Sequence, residues 1–146
     1  MPKIKFKIVT PEKVVYEKEV DQVTLPTQKG EITVLPNHIP LVSILQAGEL
    51  VVKEGDTETP MAISSGFVEV RKNEVLVLTQ TAEHAAEIDE AKALQAKERA
   101  EQLMKEIKNK DAVEYAGLAA KLEKELARLK VVRKRKHTNQ PNIQSQ

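Results

Sequence analysis

Thr81-Ala82-Glu83-His84-Ala85-Ala86-Glu87 is the stretch at which this chain changes period. Before it, apolar and polar residues alternate, and six of the seven prolines punctuate short runs. After it, as far as Val132, there is no proline and apolar residues recur at spacings of three and four. Alternation marks strands with one wet face, whereas a period near 3.6 marks an amphipathic helix. The pattern predicts a β domain over residues 1–86, a helical arm over 87–133, and a disordered basic and polar tail over 134–146.

Upstream of the switch, Lys3-Ile4-Lys5-Phe6-Lys7-Ile8 aims three apolar side chains one way and three lysines the other, and it reads as an edge or outer strand. Pro11 ends it, and strand-like runs follow at 14–16, 20–25, 31–35, 39–45, 49–53, 60–63, 67–71 and 75–80. Turn formers separate them, among them Thr27-Gln28-Lys29-Gly30, Pro36-Asn37, Glu54-Gly55-Asp56 and Lys72-Asn73. Many short strands with no helix between them predict an antiparallel β-sandwich or flattened barrel. Ser64-Ser65-Gly66 reads as an ordinary turn, glycine being the usual occupant of positive φ.

Downstream, helices are expected over 87–108 and 112–133. The connection Lys108-Asn109-Lys110-Asp111 is short, so the pair forms an antiparallel α-helical hairpin. Asn109 suits a C-terminal cap, and Asp111 with Glu114 makes a capping-box-like start. Ala93, Ala96, Ala100, Leu103 and Ile107 share one helical face, as do Tyr115, Leu118, Leu122, Leu126 and Leu129. Such a seam is thin, because a buried leucine stabilises by about 1.5–3 kcal/mol but an alanine by much less. Gly117 inside the second helix costs about 1 kcal/mol relative to alanine. Docking of the arm is then open to control by a ligand or partner worth a few kcal/mol. Opened end to end, the two helices reach about 70 Å.

The 146 residues suit one compact domain with an appendage. With no cysteine there is neither a disulfide framework nor a thiolate zinc site, and nothing at the N-terminus resembles a secretory signal, so a cytosolic setting is expected. No apolar run approaches the roughly 18–20 residues that span a bilayer, so no direct membrane insertion is expected. Residues 1–86 hold nine Lys/Arg against twelve Asp/Glu, and 87–146 hold fourteen against ten, so the halves carry −3 and +4. A basic arm suggests an acidic surface as its counterpart.

No constellation for catalysis is visible: His38, His84 and His137 are far apart in sequence, and no serine or threonine sits in a nucleophile elbow. His38 lies in Leu35-Pro36-Asn37-His38-Ile39-Pro40, a loop fixed by prolines, and is either a turn histidine or part of a contact loop. Asp89, Lys92 and Arg99 fall along one border of the alanine face. They are either an i,i+3 ion pair with a solvated arginine or a small polar site for an anion. Lys130-Val131-Val132-Arg133-Lys134-Arg135-Lys136-His137 leaves a free-standing scaffold or nucleic-acid-binding module as an alternative function. With 3% aromatic residues and no stacking platform or recognition helix, no nucleic acid partner is expected.

Four segments taken in order resemble the epsilon subunit of bacterial F-type ATP synthase. They are Val9-Thr10-Pro11; Gly30-Glu31 with Val34-Leu35-Pro36-Asn37-His38-Ile39-Pro40-Leu41-Val42; Ser65-Gly66-Phe67-Val68-Glu69-Val70; and Ile88-Asp89-Glu90-Ala91-Lys92-Ala93. The resemblance spans roughly 3–133 and implies a non-catalytic rotor subunit at the foot of the central stalk. Its sandwich would bind the gamma subunit and the c-ring at the cytoplasmic face of the inner membrane, peripherally. Its helices would lie folded or extend and inhibit ATP hydrolysis. Gly30, Glu31 and His38 match positions facing the rotor and c-ring. No cofactor is required, but some members bind a regulatory ATP through Ile or Leu, Asp, two variable residues, Arg and Ala. Ile88, Asp89 and Ala93 match, and Glu83, Arg99, Lys124 and Arg128 stand at further positions of that pocket. Lys92 departs from the arginine, replacing a planar fork with a point charge. Lys121, Lys124, Arg128, Lys130 and Arg133, with Lys134 and Arg135 beyond them, would face an acidic segment of the catalytic beta subunits when the arm extends.

Overall fold

The computed structural model describes residues 2–107 and 112–139, with side chains described as far as Arg135. Ten strands come first: β1 (Ile4–Val9), β2 (Val14–Val20), β3 (Gln22–Thr27), β4 (Gly30–Val34), β5 (Leu41–Leu45), β6 (Gly48–Glu54), β7 (Thr57–Ile63), β8 (Gly66–Arg71), β9 (Glu74–Thr79) and β10 (Ala82–His84). A 3-10 turn at Ala85–Glu87 leads to α1 (Glu90–Glu106) and α2 (Ala112–Asn139).

The strands run β10-β7-β6-β3-β5-β8-β9-β1-β2, with β4 added on β3. The two halves of this order meet at the single pair Thr27–Leu45 and fold over one another as a sandwich. Between them lie Ile4, Phe6, Ile8, Val23, Leu25, Leu50, Met61, Val68 and Val77, all buried. Tyr16 of β2 closes the far side: its ring packs 5.6 Å from that of Phe6, and its hydroxyl donates to Glu54 Oε1 of β6 at 2.9 Å. Burial, then the Glu54 carboxylate, pushes the Tyr16 phenol well above its ordinary range, so it stays protonated.

Nearly all the ladders are antiparallel, as the alternation predicted, but β1 and β9 run parallel, with Phe6 opposite Val75 and Ile8 opposite Val77. Consequently β1 lies between β2 and β9 and is not an edge. Its alternation reports one wet face, where Lys5 sits opposite Glu19 on one side and Glu74 on the other. Gly66 also differs from the turn expected of it. It heads β8, and a Cβ there would lie 2.0 Å from the carbonyl oxygen of Leu78 on β9. Positive φ is instead needed at Gly30 and Gly55, and Asn37 and Lys72 adopt it without being glycine.

In the arm, α1 starts later than expected because Asp89 is its N-cap, its Oδ1 accepting from the Lys92 backbone N–H at 3.1 Å. The expected caps at Asn109 and Asp111 lie outside the described residues. At the other end, α2 does not stop at Arg133. It stays helical to Asn139, so the tail expected to be disordered from residue 134 is helix over that part, and residues 140–146 lie outside the described residues. The seam is also rotated from the leucine stripe. Tyr115 and Leu126 are 46% and 44% exposed, while Glu125, Ala127, Leu129, Val131 and Val132 are buried. The reason is that α2 has two neighbours to satisfy, α1 along its length and β6 and β7 beneath its C-terminal half.

Candidate functional site

The arm is docked on the sandwich through a small apolar contact in which Val131 and Val132 meet Ala62 of β7, Ala85 of the 3-10 turn and Ile88. Charged pairs surround it. Arg128 of α2 reaches Glu83 of β10, with Nη2 donating to Oε2 at 3.2 Å, and its Nη1 lies 2.9 Å from Oε2 of Glu125 on its own helix. Its Nε is 3.2 Å from Glu83 Oε1 but finds no aligned hydrogen bond. One guanidinium is thus shared by two carboxylates, of which Glu125 is only 5% exposed. Such a cluster carries net charge −1 if all three groups are ionised.

Further along α2, Lys134 Nζ donates to Glu49 Oε1 of β6 at 3.0 Å, and Arg133 Nε lies 3.6 Å from Glu90 in the first turn of α1. Glu49 is buried, and its second oxygen has no hydrogen-bond partner. Because unpaired buried charge is costly, these pairs decide how firmly the arm sits.

Of the residues assigned to a nucleotide pocket, the structure joins Glu83 directly to Arg128 and places Ile88, Asp89, Lys92 and Ala93 at the start of α1. Ile88 and Ala93 are buried, while Lys92 and Arg99 are exposed. With Glu90 and Arg133 as the register, equal steps along the antiparallel helices bring Arg99 roughly level with Lys124. Lys92 gives Asp89 a backbone N–H, so the expected side-chain ion pair is replaced by a helix cap. Of the basic arm, Arg128, Arg133 and Lys134 are held by carboxylates, Lys124 is half-buried, and Lys121, Lys130 and Arg135 are exposed.

Gly30 and Glu31 open β4, whereas His38 lies beyond its other end, so these residues do not form one site. Instead, Asn37 is tied to the β8–β9 turn, its N–H donating to Asn73 Oδ1 at 2.7 Å, and His38 is half-buried with Nδ1 2.7 Å from the Ile39 carbonyl. Sequence reading missed Glu49 and Glu125, whose burial depends on tertiary contact, and missed a row of outward apolar side chains. Ile44, Phe67 and Leu78 stand opposite one another on β5, β8 and β9, with Val42 two residues along β5. Val42 is 72% and Phe67 56% exposed. A contiguous apolar row of this kind marks a contact surface.

A rigid β body, an outward apolar row and a helical arm held by ion pairs define a subunit that works by contact within an assembly. The chain belongs to the ATP synthase delta/epsilon chain family: the beta-sandwich domain of that family matches residues 3–85 and its long alpha-helix domain residues 86–133. It is similar to the ATP synthase epsilon chain of Dehalococcoides mccartyi, 46% identical over 136 residues, covering 93% of this chain and 96% of that one. The epsilon chain of Syntrophobacter fumaroxidans is 46% identical over 132 residues, covering 90% and 97%. A chain in the Euglena gracilis mitochondrial ATP synthase, solved with OSCP, F1 and the c-ring, superposes with a TM-score of 0.72 at 26% identity, covering 84% of this chain and 77% of its own length. One from the Tetrahymena thermophila central stalk and c-ring shares the fold, with a TM-score of 0.55 at 16% identity over 90% and 95% of the two chains. The chain is accordingly a non-catalytic subunit of the ATP synthase stalk. Among the described residues no helix is long and apolar enough to cross a membrane.

Proposed function

We propose that this subunit transmits rotation between the c-ring and the catalytic head and that its arm, when it leaves the sandwich, inhibits ATP hydrolysis. The observation that carries the reading is the thin docking contact of α2, a few small apolar residues ringed by ion pairs. In this reading the apolar row at Val42, Ile44, Phe67 and Leu78 seats the gamma subunit, and Gly30 and Glu31 at the β3–β4 turn face the c-ring. The place of work is the cytoplasmic face of the inner membrane, reached through those partners. The cations of α2 meet an acidic segment of the beta subunits.

Lys121, Lys130 and Arg135 test this, because they are exposed in the docked arm and belong to none of the ion pairs described at its contact with the sandwich. Changing all three to alanine should raise the ATP hydrolysis rate of the reassembled complex several-fold, with assembly intact. An unchanged rate sinks the brake.

ATP is the regulatory ligand in this reading, and no cofactor is required. Lys92, Arg99, Lys124 and Arg128 supply cations from both helices, which suits a polyphosphate, although Arg128 must first give up a carboxylate. Titrating ATP into the chain by calorimetry, Lys92→Arg should bind about tenfold more tightly, the worth of one added charge-assisted hydrogen bond. No heat with either form means that the arm answers to partners alone.

A further inference from the structure

We infer that Glu49 and Lys134 form a latch that holds the arm's cations while it is docked, and that an acidic protein surface opens the arm by taking Lys134 from Glu49. This rests on the reading that α2 meets such a surface when it leaves the sandwich. Arg128, Arg133 and Lys134 face Glu83 with Glu125, Glu90 and Glu49 respectively. A cation occupied in this way is not available to an outside carboxylate, so docking and partner binding exclude each other.

Glu49 differs from the other carboxylates. It lies on β6 under α2, its side chain is 8% exposed, and only one of its oxygens is bonded. Undocking returns it to water, so its burial opposes docking and Lys134 offsets that cost. The Lys134 side chain is still 47% exposed, and a cleft lined by Glu58, His84, Lys134 and Arg135 opens beside it. An acidic segment can therefore approach Lys134 before the arm has moved. Lys134 lies one residue past the stretch that the family's long alpha-helix domain matches, on the continuation of α2.

Removing one partner of a buried pair leaves an uncompensated charge, whereas removing both does not. Amide hydrogen exchange of the full chain reads this, with the sandwich strands as an internal control for folding. Lys134→Ala should raise exchange in the docked half of α2 about tenfold, and adding Glu49→Gln should bring it back toward wild type. Unchanged exchange in Lys134→Ala, or a double variant as open as the single, overturns the latch. Polyglutamate in excess should open the wild type and act more weakly on the double variant. If Lys134→Ala opens the arm but polyglutamate has no effect on the wild type, the latch stands and the acidic-surface reading fails.

Discussion

Arg128→Met should undock the arm more completely than any other single change in α2. The substitution leaves Glu125, 5% exposed, and Glu83, 24% exposed, without the guanidinium that they share. Removing one partner from a buried ionic cluster costs about 3–5 kcal/mol. That loss is comparable with what the apolar contact supplies, since its larger members, Ile88, Val131 and Val132, contribute about 1.5–3 kcal/mol each when fully buried. Methionine keeps the apolar stem of the side chain and removes the guanidinium, so the effect is chiefly electrostatic. Amide exchange in α2 should rise toward that of an open helix while β6 and β8 remain protected. Arg128→Lys should fall between, retaining the charge but losing the fork that serves two carboxylates. If α2 of Arg128→Met is as protected as in the wild type, the cluster is not what holds the arm.

Gly66→Ala should be the most damaging single methyl in the sandwich. The added Cβ meets backbone, 2.0 Å from the Leu78 oxygen and 2.9 Å from the Thr79 Cα, and no flexible side chain is there to give way. β8 and β9 must part at the very pair, Gly66 with Thr79, that starts their ladder. Overpacking of this kind costs about 1–3 kcal/mol and occasionally more. Against backbone the upper figure applies, lowering the melting temperature of a domain this size by about 12 °C or more. Calorimetry of the variant checks it, and a shift under about 2 °C would show that the strands separate freely. Because Phe67 and Leu78 flank the collision, the apolar row should lose its alignment as well.

Much of the fold could be read from local pattern, since alternation at Ile4, Phe6 and Ile8 and the period change after Thr81 each record which side of an element is dry. What escaped was pairing at a distance. Nothing in residues 4–9 says that their second neighbour is β9 in parallel, and β10, only Ala82-Glu83-His84, is too short to show a period. The site was half legible. A basic helix and the Ile88-Asp89 start of α1 stood out, but Asp89 proved to be a cap. Glu49 could not be found, because a glutamate opening a strand looks solvated until a helix covers it. The same covering explains why Leu126 faces water while Glu125 is buried, as α2 turns its charged edge to Glu83.

The parallel pairing of β1 with β9 also governs the order in which the molecule can be built. Phe6 finds Val75 only after about seventy intervening residues have been made, so at about 5–20 residues per second the N-terminal strand waits several seconds on the ribosome for its second neighbour. Contacts so distant in sequence slow closure of the sandwich relative to its local hairpins. The arm comes later still, because its platform includes β7 and the turn after β10. Synthesis thus delivers the helical arm last, onto a body already shut.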